Sequence, residues 1–160
     1  SEPLSLFFGF FILDPFSFFF KIAALGIVAI TLLASIDCPP LPYAGEFYTL
    51  LLLLGFGLIL MGSSNNLLMI FLSIEFVSLL SYLVVGFLKK DSRSKEAALK
   101  YLLFGSVSSG VMLFGMSLLF GLTGAIDLNV IEARLAEAAF PQGLVLTALL
   151  LVMVGLGFKI

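Results

Sequence analysis

A chain of 160 residues in which 61% of side chains are hydrophobic, only 11% are charged and none is His or Trp cannot build a water-compatible surface, since ordinary domains carry about 25% charged residues. The expectation is an all-α integral membrane protein. One thiol, Cys38, and no imidazole leave no ligand set for haem, zinc or an iron–sulfur cluster, and a net charge of −2 points away from nucleic acid.

In chain order, residues 1–15 come first, with an apolar, Phe-rich stretch over 4–13 that is too short to span as a helix and reads as an extracytoplasmic strand or re-entrant piece. The remainder, 16–160, reads as a helical membrane region. Five apolar runs approach or exceed the roughly 17–25 residues needed to cross hydrocarbon: about 16–35, 47–61, 65–88, 96–122 and 144–160. Asp14-Pro15 signals the start of the first, and Ser64 or Asn65 is the expected cap of the third. Gly55-Phe56-Gly57 falls inside a spanning run, where a phosphate cradle has no place. Between the last two runs, Leu128, Ile131, Leu135, Ala138 and Ala139 repeat at helical spacing, which predicts a short helix lying on the membrane surface. Neither an initiator Met nor a basic leader precedes Ser1-Glu2-Pro3, and the last residues stop within an apolar run. The expectation is a fragment of a longer membrane protein.

Orientation follows from the basic residues. The loop 89–95 holds Lys89, Lys90, Arg93 and Lys95, whereas 123–142 holds only Arg134, so the first is expected in the cytoplasm and the second outside. Alternation then places the turn 62–65 outside and the loop 36–45 inside.

Four ionisable residues fall within the runs: Lys21, Glu75, Lys100 and Lys159. A charge at the bilayer centre costs about 2.5–3.5 kcal/mol on insertion scales, so each is a functional candidate. Glu75 lies deepest, among Ile74, Phe76 and Val77, with Ser78, Ser81 and Tyr82 on its own helical face. Its carboxylate needs a partner, a wet cavity or a proton; the structural alternative is a protonated Glu bonded to a neighbouring helix. Lys159 follows Gly155 and Gly157, which ease a helix break, and snorkelling from a helix end is its alternative. Snorkelling is also what position alone suggests for Lys100 and for Lys21. Gly105/Ser109 and Ser106/Gly110 stand four apart and form either a close-packing face or a Ser-lined hydrophilic path.

Five stretches, Gly45-Glu46-Phe47-Tyr48, Ile74-Glu75-Phe76-Val77-Ser78-Leu79, Glu96-Ala97-Ala98-Leu99-Lys100-Tyr101, Leu113-Phe114-Gly115-Met116 and Val154-Gly155-Leu156-Gly157-Phe158-Lys159, together resemble the antiporter-like membrane subunits of respiratory complex I. Among these the resemblance is closest to the subunit N family, which includes mitochondrial NADH dehydrogenase subunit 2. The resemblance implies a larger bundle of about fourteen helices, of which this chain looks like the third to seventh, the last of them broken. Glu75 matches the family's buried glutamate, Lys159 its buried lysine beside the break, and Lys100 a lysine at the start of the sixth helix. It also implies a proton relay in which the charge of one site biases the proton affinity of the next, driven by quinone reduction elsewhere. At 1.36 kcal/mol per pK unit, a swing of ~2 units in such a relay needs about 3 kcal/mol.

No cofactor is expected in this chain; quinone, FMN and iron–sulfur clusters belong to other subunits of the implied complex. The implied partners are other membrane-arm subunits and lipid, in a bacterial inner membrane. A subunit of a multi-subunit sodium/proton antiporter and a non-pumping membrane scaffold are the alternatives.

Overall fold

A computed structural model describes residues 4–7, 9–36, 43–137 and 140–159. The expected inner loop with Cys38 lies largely outside the described residues, as do Ala138 and Ala139.

The N-terminal stretch forms a two-stranded antiparallel hairpin, β1 (Leu4–Leu6) and β2 (Phe11–Leu13), paired Leu4 to Leu13 and Leu6 to Phe11. Gly9 takes a positive φ of 86° in its turn, a conformation that costs glycine little. Helix α1 (Pro15–Ile36) starts on a local clasp. The Ser17 N–H donates to Asp14 Oδ1 at 2.7 Å and its hydroxyl to the Asp14 carbonyl at 3.0 Å, while Pro15, lacking an N–H, occupies the first helical position without loss. Helix α2 (Ala44–Met61) begins three residues earlier than the apolar run, because Glu46 and its neighbours can be helical without being apolar.

Helix α3 spans Leu67–Val85, shorter at both ends than 65–88. Its cap is Asn66, not Ser64 or Asn65: the Leu68 N–H donates to Asn66 Oδ1 at 2.9 Å. Helix α4 (Ser92–Thr123) gains a turn over the expected start because Asp91 caps it, accepting from the Arg93 N–H at 2.9 Å. Its 32 residues reach roughly 48 Å, more than the hydrocarbon thickness. Helix α5 (Leu128–Glu137) occupies the loop where amphipathic spacing predicts a helix. Ile131 is buried and Leu135 packs on the core, but Leu128 at the edge of the stripe stays exposed. Helix α6 (Gln142–Gly157) is a 16-residue piece displaced from 144–160, with Phe158 and Lys159 in the turn that follows. Four of the described helices, α1 to α4, are long and apolar enough to cross a membrane; α6 is apolar but shorter.

In space α1 packs on α2, α2 on α3, α3 on α4, and α4 most extensively on α6. The α4/α6 contact runs backbone to backbone. A Cβ on Gly115 would stand 2.8 Å from both the Ala148 carbonyl oxygen and the Val152 nitrogen, and one on Gly155 would stand 2.9 Å from the Met112 Cα. Small residues let helices approach this closely where lipid offers no hydrophobic drive between them. Leu67, Ile74, Met112, Met116, Leu119, Ile131 and Ala148 form the core beside this seam.

The two ends differ. At one, β2 is stitched to the α2–α3 turn by Ile12 N–H to the Ser63 carbonyl (2.8 Å), and α3 to the start of α5 by Leu67 N–H to the Ile126 carbonyl (2.8 Å) and Leu128 N–H to the Asn65 carbonyl (3.2 Å). The turn 62–65 and the start of the 123–142 loop therefore share one end. At the other end Lys89 pairs with Glu46 at 3.3 Å and lies 5.1 Å from the centroid of the Tyr43 ring.

Candidate functional site: a buried Glu–Lys pair

Helix α3 carries Glu75 eight residues after Leu67 and ten before Val85, roughly 12 Å along the helix from its start. Helix α6 ends at Gly157, and the turn after it directs Lys159 back toward α3: the Lys159 Nζ donates to Glu75 Oε1, an ion pair joining residues 84 apart in sequence. The side chains are 11% and 23% exposed, respectively, so the pair is largely withdrawn inside the bundle.

Two hydroxyls contact it, and a third ties the neighbouring helices. Ser78, one turn beyond Glu75 on α3, accepts from Lys159 Nζ at 3.2 Å while donating to the Ile74 carbonyl at 2.7 Å. Ser109 on α4 contacts Glu75 Oε1 at 2.5 Å. Ser108, beside it, donates across the seam to the Gly155 carbonyl at 2.7 Å, tying α4 to the end of α6. Tyr82 is buried one turn past Ser78, its hydroxyl resting where a Cβ on Gly105 would collide with it, and its ring meets Tyr101 edge-on at 4.6 Å. A carboxylate opposed to an ammonium sets one acceptor against one donor, an arrangement chemically able to share or pass a proton. Among the described residues no three Asp, Glu or Cys side chains gather as metal ligands.

Of the residues singled out from sequence, the structure brings Glu75 and Lys159 together and leaves Lys100 apart. Lys100 Nζ pairs with Glu96 Oε1 at 2.5 Å within α4, with 66% of its side chain exposed. The predicted small-residue face divides as well: Gly105 and Ser109 are buried against α3, whereas Ser106 and Gly110 are exposed and a Cβ on Gly110 would meet nothing. The sequence offers Ser109 and Ser106 alike as members of that face and does not single out Ser108. The signal available was the spacing of Ser108 and Ser109 from Met112 and Gly115, three to seven residues on, which continues the packed face.

Four membrane-length helices, with a largely buried Glu75–Lys159 ion pair between α3 and the end of α6, define a polytopic helical membrane protein. Residues 64–160 match the family described as NADH:quinone oxidoreductase/Mrp antiporter, transmembrane, and the chain belongs to this family. It is 40% identical over 162 residues to the NADH-quinone oxidoreductase subunit N 2 of Chloroherpeton thalassium, covering 98% of this chain and 32% of that protein. A chain in the structure of respiratory complex I from Thermus thermophilus with bound aureothin superposes with a TM-score of 0.75 at 29% identity, over 98% of this chain and 33% of that one. The archaeal membrane-bound sulfane sulfur reductase has the same fold, with a TM-score of 0.81 at 21% identity over 98% of this chain and 32% of that one. The chain thus spans about a third of the length of the relatives it matches.

Proposed function

We propose that the chain is part of a proton-translocating membrane-arm subunit of an NADH:quinone oxidoreductase, and that Glu75 and Lys159 form a charge-coupled proton relay within it. The observation that carries this reading is the ion pair between α3 and α6, held in the bundle interior by Ser78 and Ser109. With the pair closed, each charge compensates the other. Drawn apart, each stands alone in a medium of low dielectric, and the lysine relieves its cost by giving up a proton. Closing and opening the pair therefore alternates uptake and release at Nζ.

The driving energy comes from redox chemistry in partner subunits, where quinone, FMN and iron–sulfur clusters reside; this chain supplies no electron carrier. Lys100, which the resemblance would place in the relay, is exposed and paired with Glu96 near the basic end of α4, apart from the Glu75–Lys159 pair. The subunit lies in a bacterial plasma membrane among other membrane-arm subunits, with 89–95 facing the cytoplasm, by the excess of basic residues there.

The test is the proton-to-electron ratio of the reconstituted complex, normalised to assembled protein, in Glu75→Gln, Glu75→Asp and Lys159→Met. Gln keeps shape and hydrogen bonding without ionising, so it should assemble and pump less, with Asp retaining part and Met behaving like Gln. Full pumping by Glu75→Gln at normal assembly would overturn the relay and leave a packing role.

A further inference from the structure

The Ser109 hydroxyl faces two acceptors, Glu75 Oε1 at 2.5 Å and the carbonyl oxygen of Gly105, one turn back in α4, at 2.8 Å. A serine hydroxyl has one hydrogen and two lone pairs, so it cannot donate to both at once. The two contacts are two settings of one rotor. Turned to Glu75, the hydrogen supports a carboxylate. Turned to Gly105, it leaves the Oγ lone pairs free to accept from a protonated Glu75. The bond between the same two oxygens reverses direction, and no heavy atom need move.

The neighbouring hydroxyls are committed elsewhere. Ser78 gives its hydrogen to the Ile74 carbonyl and offers Lys159 a lone pair; Ser108 gives its hydrogen to Gly155. Ser109 itself is buried, 8% exposed, with the hydroxyl end of Tyr82 against Gly105 one turn back, so bulk water does not replace the bond freely.

We propose that Ser109 is a positioning residue for proton transfer at Glu75, a hydroxyl rotor that donates to the ionised carboxylate and accepts from the protonated carboxyl. This rests on the relay reading and adds the group that lets Glu75 hold either protonation state inside the bundle. As the pair begins to open, the proton that the Lys159 ammonium gives up passes to Glu75: an N–H bond breaks and an O–H bond forms, and the separating side chains are both left neutral. The Ser109 hydrogen then turns to Gly105 and the new O–H donates to Oγ. The serine keeps its own proton throughout, so the proton count balances without any further reagent.

The experiment uses the reconstituted whole complex carrying Ser109→Ala or Ser109→Thr, with Glu75→Gln beside them. It reads the proton-to-electron ratio per assembled complex and the infrared carbonyl stretch of protonated Glu75, assigned by its loss in Glu75→Gln. Ser109→Ala should lower the ratio and shift the band, and Ser109→Thr, which keeps a hydroxyl, should restore both. A serine that only bonds its own helix backbone would leave the band where it is. An unmoved band and a full ratio in Ser109→Ala, while Glu75→Gln loses pumping, would overturn the rotor and spare the relay; full pumping by Glu75→Gln would overturn the relay itself. Should Ser109→Ala fail to assemble, Ser109→Cys, close in volume and only a weak donor, is read against the same outcomes.

Discussion

A double-mutant cycle on Glu75 and Lys159 separates an energetic pair from two charges that merely sit close. Removing one member of a buried ion pair costs about 3–5 kcal/mol, because the survivor stays buried without its counter-charge. Here each survivor keeps one hydroxyl, Ser109 for Glu75 and Ser78 for Lys159, and a hydrogen bond to a charged group returns about 1.5–3 kcal/mol. Each of Glu75→Gln and Lys159→Met should then destabilise the subunit by about 1.5–2 kcal/mol. The double variant strands no charge and should cost about 1 kcal/mol, the scale of one neutral hydrogen bond. The coupling energy comes out at about 2–3 kcal/mol. Denaturant titration of the full-length subunit in mixed micelles measures all four corners of the cycle. Additivity within about 0.5 kcal/mol would mean that the two side chains do not support one another, and the argument from burial would fail.

Gly115→Ala should lower stability by about 1–3 kcal/mol, since both nearest atoms are backbone of α6 and cannot swing aside; Gly110→Ala, with open space around it, should stay within about 0.5 kcal/mol in the same titration. Single cysteines placed at Ser92 and at Glu132, in a chain with Cys38→Ser, should react with an impermeant reagent from opposite sides of the membrane, Ser92 from the cytoplasm. Reaction of Ser92→Cys from outside would invert the topology.

The apolar runs were readable because hydrocarbon thickness imposes a length on any spanning helix, and a lone carboxylate in such a run stands out against its neighbours. Glu75 and Lys159 stand out on that ground, Lys159 also by Gly155 and Gly157 before it, and both by their places in the motif stretches. Their contact is a different kind of fact. It depends on how α6 turns after Gly157, and the chain between two residues 84 apart contains no local signal for it. Lys100 shows the converse. Its place in the motif drew attention, yet its partner is Glu96 one turn away, a pairing that i,i+4 spacing already offered. The serines of α4 were the least legible. Ser106, Ser108 and Ser109 look alike in sequence, and only the rotation of α4 against α3 and α6 decides which one meets the carboxylate. The cap of α3 falls on Asn66, whose Oδ1 accepts from the Leu68 N–H, while the Ser64 hydroxyl donates back to the Leu60 carbonyl and the Asn65 amide reaches Asp127.

The length of chain between the members of the ion pair sets an order of events during synthesis. At roughly 5–20 residues per second, the 84 residues from Glu75 to Lys159 take about 4–17 s to make. Helix α3 therefore enters the bilayer long before its basic partner exists. The penalty of about 2.5–3.5 kcal/mol for an acidic group at mid-membrane falls on α3 alone at that moment. What carries it in is the Leu, Ile, Val and Phe content of its 19 residues, not the attraction that later holds the site together. Substitutions that thin out those apolar side chains would then act at the translocation machinery, and the harm would be done before Lys159 has been translated.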